Sequence, residues 1–203
     1  MSSPAAAPDP VHPPFAPESP RPLRADAVRN RARILAAARE VFAERGTEAH
    51  AEEVARRAGL GVGTLYRHFP DKEALARAVL EHKVEEVKTF IEAECLPDPD
   101  PWAGLERVFR NAGAGQAENR GWADAVSAAL GDDPAMCLHR DRLTPPVMEL
   151  VRRGQEAGVV RDDLRGEDLF GLFCGLGAVA RSGQDWERYL AVVLAGLRAG
   201  GDR

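Results

Sequence analysis

Cysteine is scarce and badly placed for cross-linking. Cys95, Cys137 and Cys174 are odd in number and far apart, and none forms a CxxC pair. That excludes a disulfide framework and a four-thiolate zinc site, and leaves small buried apolar residues as the expected role. Long hydrophobic runs are missing too. The longest, "LFGLFCGLGAVA" over 169–180, is too short for a bilayer, which takes about 20 residues. The N-terminal "MSSPAAAPDPVHPP" lacks a basic segment followed by an apolar core, so no secretory signal is expected and a cytoplasmic location is. There is no GxSxG, no phosphate loop with its lysine and no HxxxH spacing. Gly59, Gly61 and Gly63 follow a helical pattern, so they do not open a dinucleotide fold. No nucleophile, base or metal set emerges, and neither enzymatic activity nor a cofactor is expected.

The charge is uneven. The net value is −5, yet residues 21–72 carry eleven Lys/Arg against seven Asp/Glu, while 73–203 carry 16 against 23. A basic segment in an acidic chain is the asymmetry expected when one part meets nucleic acid; an ordinary solvated helix face would also produce it. Arginine outnumbers lysine 24 to three, and with the abundant alanine this suggests a GC-rich genome.

Eight prolines fall within residues 1–22, which no helix or strand is expected to survive, so this stretch reads as a disordered tail. Beyond it the spacing changes. Ile34, Leu35, Ala38, Val41 and Phe42 lie on one helical face, which Arg45-Gly46 ends. A second helix is expected over Ala51–Ala58, stopped by Gly59, and a third within 61–69, stopped by Pro70. Asp71 caps a long fourth helix running to about Glu94. After the break "CLPDPDP", helical stretches are expected near 102–117, 120–130, 135–157, 167–181 and 184–199, with Pro145-Pro146 starting or kinking the third of these. Convincing alternating strands are absent. The expectation is an all-α chain: a three-helix unit over 23–80 and a larger helical unit over 81–203.

Within the smaller unit, "AEEVARRAGLGVGTLYRHF" reads as helix, tight turn, helix. Ala55 is small where two helices approach, Gly59 suits a turn needing positive φ, and Val54, Ala58, Leu60 and Leu65 form the inward set. This describes a helix-turn-helix, whose second helix enters the major groove. On that helix Thr64, Arg67 and His68 share an outward face, Leu65 and Phe69 turn inward, and Tyr66 stands beside the polar face. Gly61 and Gly63 keep the helix start narrow enough for backbone amides to approach a phosphate. For Tyr66 and His68, a partly buried aromatic pair over the small core is the other reading.

"AEEVARRAGLGVGTLYRHFPDKEAL", preceded by "RILAAAREVFAERG", resembles the DNA-binding domain of TetR-family transcriptional regulators over about residues 24–80. "LVRRGQEAGVVRDDL" with "EDLFGLFCGLG" resembles the ligand-binding and dimerisation domain of an actinobacterial-type subgroup. The resemblance implies DNA contacts at Thr64, Tyr66, Arg67 and His68, phosphate contact at Lys72, and positions near the DNA backbone at Arg29 and Arg33. Where the family often has Ser or Thr entering the second helix this chain has His50, and where Ser commonly starts the recognition helix it has Gly61. Both changes remove a hydroxyl donor.

The family resemblance also implies a homodimer on a pseudo-palindromic operator, most often a repressor released by a small-molecule effector. Leu169, Leu172, Leu176, Leu190, Val193, Leu194 and Leu197 lie on two strongly apolar helices, from which a four-helix dimer interface is expected. Trp102, Phe109, Trp122, Met136, Met148 and Phe173 are candidates for an effector pocket, or else pack the core. Control by a protein partner, or without ligand, is a second reading; a helical enzyme with an incidental helix-turn-helix is a third, with no residue set behind it.

Overall fold

The computed structural model describes residues 21–130 and 132–200; of residues 21–24 and 132–140 the backbone alone is described. The expectation of a disordered tail falls on residues 1–20, outside the described part. Arg21 and Pro22, assigned to that tail by proline content, instead open the first helix, where a proline costs little because the first N–H groups have no intrahelical acceptor.

Nine α-helices are described: α1 (Arg21–Arg45), α2 (Ala51–Arg57), α3 (Val62–His68), α4 (Lys72–Phe90), α5 (Pro101–Glu118), α6 (Arg120–Leu130), α7 (Asp132–Glu156), α8 (Gly166–Ser182) and α9 (Trp186–Leu197). A 3₁₀ turn, Gly46–Glu48, joins α1 to α2, and one π-helical turn, Ile91–Cys95, ends α4. No strand forms among the described residues beyond a single antiparallel bridge, Val160 to Arg198. The all-α expectation therefore stands, with boundaries close to those predicted. Pro145 and Pro146 lie inside α7.

Apolar spacing explains the packing. Ile34, Ala38, Val41 and Phe42 of α1 meet Val54 and Ala55 of α2, Leu65 of α3, Phe69 and Leu75, Ala76 and Val79 of α4 in one buried cluster. Asp71 caps α4 by accepting from the Ala74 N–H at 2.7 Å. A second cluster unites Ile91, Leu105, Phe109, Leu150, Val151, Leu169, Leu176 and Leu190 from the π-turn, α5, α7, α8 and α9. Between them, Leu80 and Val84 of α4 pack on Val126 of α6.

Helix α6 is the bridge. Its Ala125 belongs to the first cluster, and Trp122 packs against both the first cluster and the joint between the two. The approach of α6 to α1 depends on Gly121: a Cβ there would lie 2.5 Å from the Ala43 carbonyl oxygen and 3.1 Å from that of Phe42. Backbone atoms cannot rotate aside, so the absence of a side chain sets this helix spacing.

Candidate nucleic-acid interface and effector cavity

The turn between α2 and α3 closes as the sequence suggests. The Leu60 N–H donates to the Ala55 carbonyl at 2.9 Å, and Gly59 adopts φ +64°, which a side chain would strain. Val54, Ala55, Leu65 and Phe69 are buried beneath, so α3 is pinned by its inner face and offers the outer one. Tyr66 is 44% exposed and His68 half-buried, its ring centroid 6.3 Å from that of Phe69. Arg67 donates to the Thr64 hydroxyl at 2.9 Å, an i, i+3 pair on the exposed side.

The cations of this unit sort into two groups. Arg39 donates to Glu86 at 2.6 Å, Arg45 and Arg56 lie 3.4 and 3.6 Å from Glu53, and Arg57 holds Glu44 through two bonds and Glu40 through a third. The hydrogen bonds from Arg57 keep the Glu44 carboxyl below its usual range and raise the guanidinium's own pKa. All but the Arg56–Glu53 pair, which lies within α2, fasten α1 to α2 or α4. Among the described residues Arg31, Arg33, Arg67 and Lys72, by contrast, have no carboxylate partner. Arg31 lies 5.0 Å over the Phe69 ring, Arg33 donates to the Gly59 carbonyl at 3.3 Å, and Lys72 donates to the Thr47 carbonyl at 2.9 Å. Uncompensated positive charge is therefore concentrated around α3, the arrangement that attracts phosphates. Arg29, expected near the DNA backbone, forms an ion pair with Asp26 one turn away on α1.

Three expected DNA contacts from three places in the chain converge: His50, Tyr66 and Lys72 line one small crevice with Asp71. His50 is the N-cap of α2 and makes no side-chain capping bond; Gly61 is the N-cap of α3 at φ −70°, an ordinary value. A Cβ at Gly61 or Gly63 would meet nothing within 4 Å, so these glycines are not demanded by packing and leave the start of α3 open. Val62 is 41% exposed and shares a face with Tyr66 at i, i+4, an outward apolar position beside the expected DNA contacts.

The larger unit encloses a cavity of about 240 Å³. Its wall draws on α1 (Arg39), α4 (Lys83, Val87), α5 (Val108, Asn111, Gln116), α6 (Trp122), α7 (Leu143, Val147) and α8 (Leu169, Phe173, Cys174, Leu176, Arg181). Trp122 and Phe173 thus lie where a pocket was expected. Phe109, Trp102 and Met148 do not line it. Phe109 is fully buried behind the wall, stacked on Phe173 with centroids 4.3 Å apart. Trp102 is buried under the Arg198 guanidinium, 3.9 Å from its ring, because Arg198 is drawn in by the Val160 bridge. Met148 packs toward Gly166 at the start of α8. The side chain of Met136 lies outside the described residues. The polar and cationic lining residues were missed, since nothing in a one-dimensional pattern says which side of a helix faces a void. Burial raises the Cys174 thiol pKa.

Five of the seven residues expected at a dimer interface are taken up by the chain's own core. Leu169, Leu176, Leu190, Leu194 and Leu197 are all buried within the single chain, in the second core cluster, and Leu172 and Val193 are half-buried against it. The strong apolarity of these helices reflects their own core. The outward face consists of smaller residues: Gly171 and Ala178 on α8, and Ala191, Val192, Ala195 and Gly196 on α9, all exposed, with Val192 at 69%.

No described helix is long and apolar enough to cross a membrane. Comparison with known proteins extends these observations. Residues 34–79 match the family described as bacterial regulatory proteins, tetR family, and residues 100–199 match the SbtR-like transcriptional regulator C-terminal domain. An HTH-type transcriptional regulator of Staphylococcus aureus is 41% identical over 70 residues, 34% of this chain and 36% of that relative's length. The crystal structure of a TetR transcriptional regulator from Streptomyces coelicolor is 34% identical with TM-score 0.63, covering 84% of this chain and 99% of that one. A TetR transcription regulatory protein from Mycobacterium vanbaalenii is 33% identical with the same TM-score, covering 87% and 99%.

Proposed function

The chain belongs to the TetR family of DNA-binding transcriptional regulators, and from that premise we propose that it is a homodimeric repressor whose hold on a pseudo-palindromic operator is released by a small molecule in the cavity. The observation that carries the ligand reading is the make-up of the cavity wall. One occupant would touch α1, α4 and α6, which pack with the DNA-reading unit, and α5, α7 and α8 of the larger unit at once. An effector that fits one relative placement of these helices better than another shifts the population between them, and it acts only through that difference. Arg39 brings α1 into the wall directly, and Gly121, pressed against the α1 backbone one residue before Trp122, ties the wall to α1 a second time through α6.

The proposed DNA face is Thr64, Tyr66, Arg67 and His68 of α3, with Val62 for apolar contact to a thymine methyl, and Arg33, His50, Gly61 and Lys72 toward phosphates. Arg29 joins them by exchanging Asp26 for a phosphate. Two copies of α3 reading successive major-groove turns stand about 34–36 Å apart. The dimer is assigned to the exposed small-residue faces of α8 and α9 rather than to the buried leucines. The protein acts in the cytoplasm, where the chromosome is, and performs no chemistry of its own.

Selection of bound duplexes from a random pool tests DNA recognition, followed by affinity against salt. With phosphate contacts, log K falls against log salt by about 0.9 per contact. Lys72→Ala is expected to flatten the slope by about that amount. Tyr66→Ala is expected to weaken the selected site while leaving non-specific binding nearly unchanged. If neither variant alters operator binding, this face is not the one that reads DNA.

A further inference from the structure

We propose that the effector is an anion, an apolar acid whose carboxylate pairs with Arg181 at the rim of the cavity while its body fills the apolar interior. This rests on the reading of the cavity as the effector site.

The charge of the lining carries the inference. Among the described residues the three charged side chains in the wall are all cationic, Arg39, Lys83 and Arg181, and no aspartate or glutamate lines it. Two of the three share one carboxylate: Arg39 lies 2.6 Å and Lys83 3.7 Å from Glu86, which stands outside the lining. Arg181 has no carboxylate partner among the described residues. Its bonding partner among the described residues is neutral, the Gln116 side-chain oxygen of α5, which accepts from Nη1 at 3.1 Å. A guanidinium has five N–H donors in a planar fork, so one bond to an amide orients the group and leaves donors for a carboxylate.

The surroundings fit this role. Gly177 sits beneath the guanidinium, where a Cβ would lie 3.0 Å from Nη1 of Arg181 and 3.7 Å from Gln116. A side chain there would crowd the cradle that Gln116 and Arg181 form. The positive charge also reaches along the wall: it is the influence that opposes the burial-driven rise of the Cys174 thiol pKa. Arg181 is exposed, which places the anion at the mouth and lets a ligand enter body first. Beyond it most of the wall is apolar, with Phe173, Leu176, Val147 and Val108, and Asn111, Gln116, Asn119 and Thr144 are its neutral polar members. A dry cavity of about 150 Å³ holds benzene, so 240 Å³ accommodates an apolar body of roughly ten heavy atoms. Negative charge in the wall would repel such an acid; its absence among the described residues, with an unmatched cation, favours the acid over neutral and cationic molecules of the same shape.

Calorimetry on the full-length protein at neutral pH with 4-phenylbutyrate and its neutral counterpart 4-phenylbutan-1-ol tests the inference. The wild type is expected to bind the acid at least tenfold more tightly than the alcohol. Arg181→Gln, at an exposed position, is expected to abolish that preference and leave alcohol affinity within about twofold. Equal affinity of the wild type for the two probes overturns the anion inference while alcohol binding keeps the cavity reading intact, as does an acid preference that survives Arg181→Gln. If neither probe binds, the cavity takes no small apolar molecule and the effector-site reading falls together with this one.

Discussion

Replacing Gly121 with alanine probes the joint on which signal transfer is proposed to depend. The new methyl would sit 2.5 Å from the Ala43 carbonyl oxygen and 3.1 Å from that of Phe42, where ordinary contact begins at 3.4 Å. Both obstacles are backbone atoms within α1, held by the burial of Val41 and Phe42, so relief requires α6 and α1 to part by about 0.9 Å. Overpacking of this kind typically costs about 1–3 kcal/mol. In a chain of this size, each kcal/mol moves the melting temperature by about 2–4 °C. The fair comparison for stability is Gly115→Ala in the last turn of α5, where a Cβ meets nothing within 4 Å and helix propensity alone gives a gain of up to about 1 kcal/mol. Urea denaturation of both variants at one fixed protein concentration should therefore shift the midpoints in opposite directions. Because Trp122 follows immediately and lines the cavity, Gly121→Ala is also expected to weaken binding of whichever cavity probe the wild type takes. A Gly121→Ala protein with wild-type midpoint and wild-type probe affinity would refute the claim that this contact is tight and that α6 links cavity to α1.

Other consequences are open to measurement. Asp71→Ala removes the cap of α4 and should cost about 1 kcal/mol in denaturant unfolding, with Asp71→Asn recovering most of it. The Glu44 carboxyl is held below its usual 4.5 by Arg57 in the folded chain, so its contribution is present above that value and lost as pH falls through the lower folded pKa. Acid unfolding of Arg57→Gln should accordingly show a smaller loss of stability below about pH 4.5 than the wild type does. Val192→Arg, on the exposed face of α9, should halve the sedimentation mass without lowering helicity, whereas Leu176→Arg buries a charge in the monomer core and should abolish folding altogether. A Val192→Arg protein that remains dimeric would move the interface elsewhere.

Much of the fold was legible because it rests on local rules. Periodic apolar positions, the prolines around the helix-turn-helix, the Asp71 cap and the positive-φ turn at Gly59 act over a few residues, so a linear pattern states them in full. The outward set of α3 followed from the same 3.6-residue period. The burial of the leucines expected at the dimer interface had the opposite origin. Leu169, Leu176, Leu190 and Leu194 are as apolar as interface residues, and composition cannot tell whether a helix buries them against its own chain or another. The cavity was hidden for a related reason: its polar wall draws on Arg39, Lys83, Asn111, Gln116 and Arg181, separated by up to 142 positions, and only packing brings them to one void.

The sequence by itself therefore determined the helices, the DNA-reading motif and the family, each carried by short-range spacing or by an unbroken run of residues. Tertiary structure decided which arginines keep their charge free, which apolar residues a single chain uses up, and how closely α6 rests on α1. Those outcomes depend on distances between segments remote in the chain, set by close packing of whole helices, and a linear pattern carries no information about such distances.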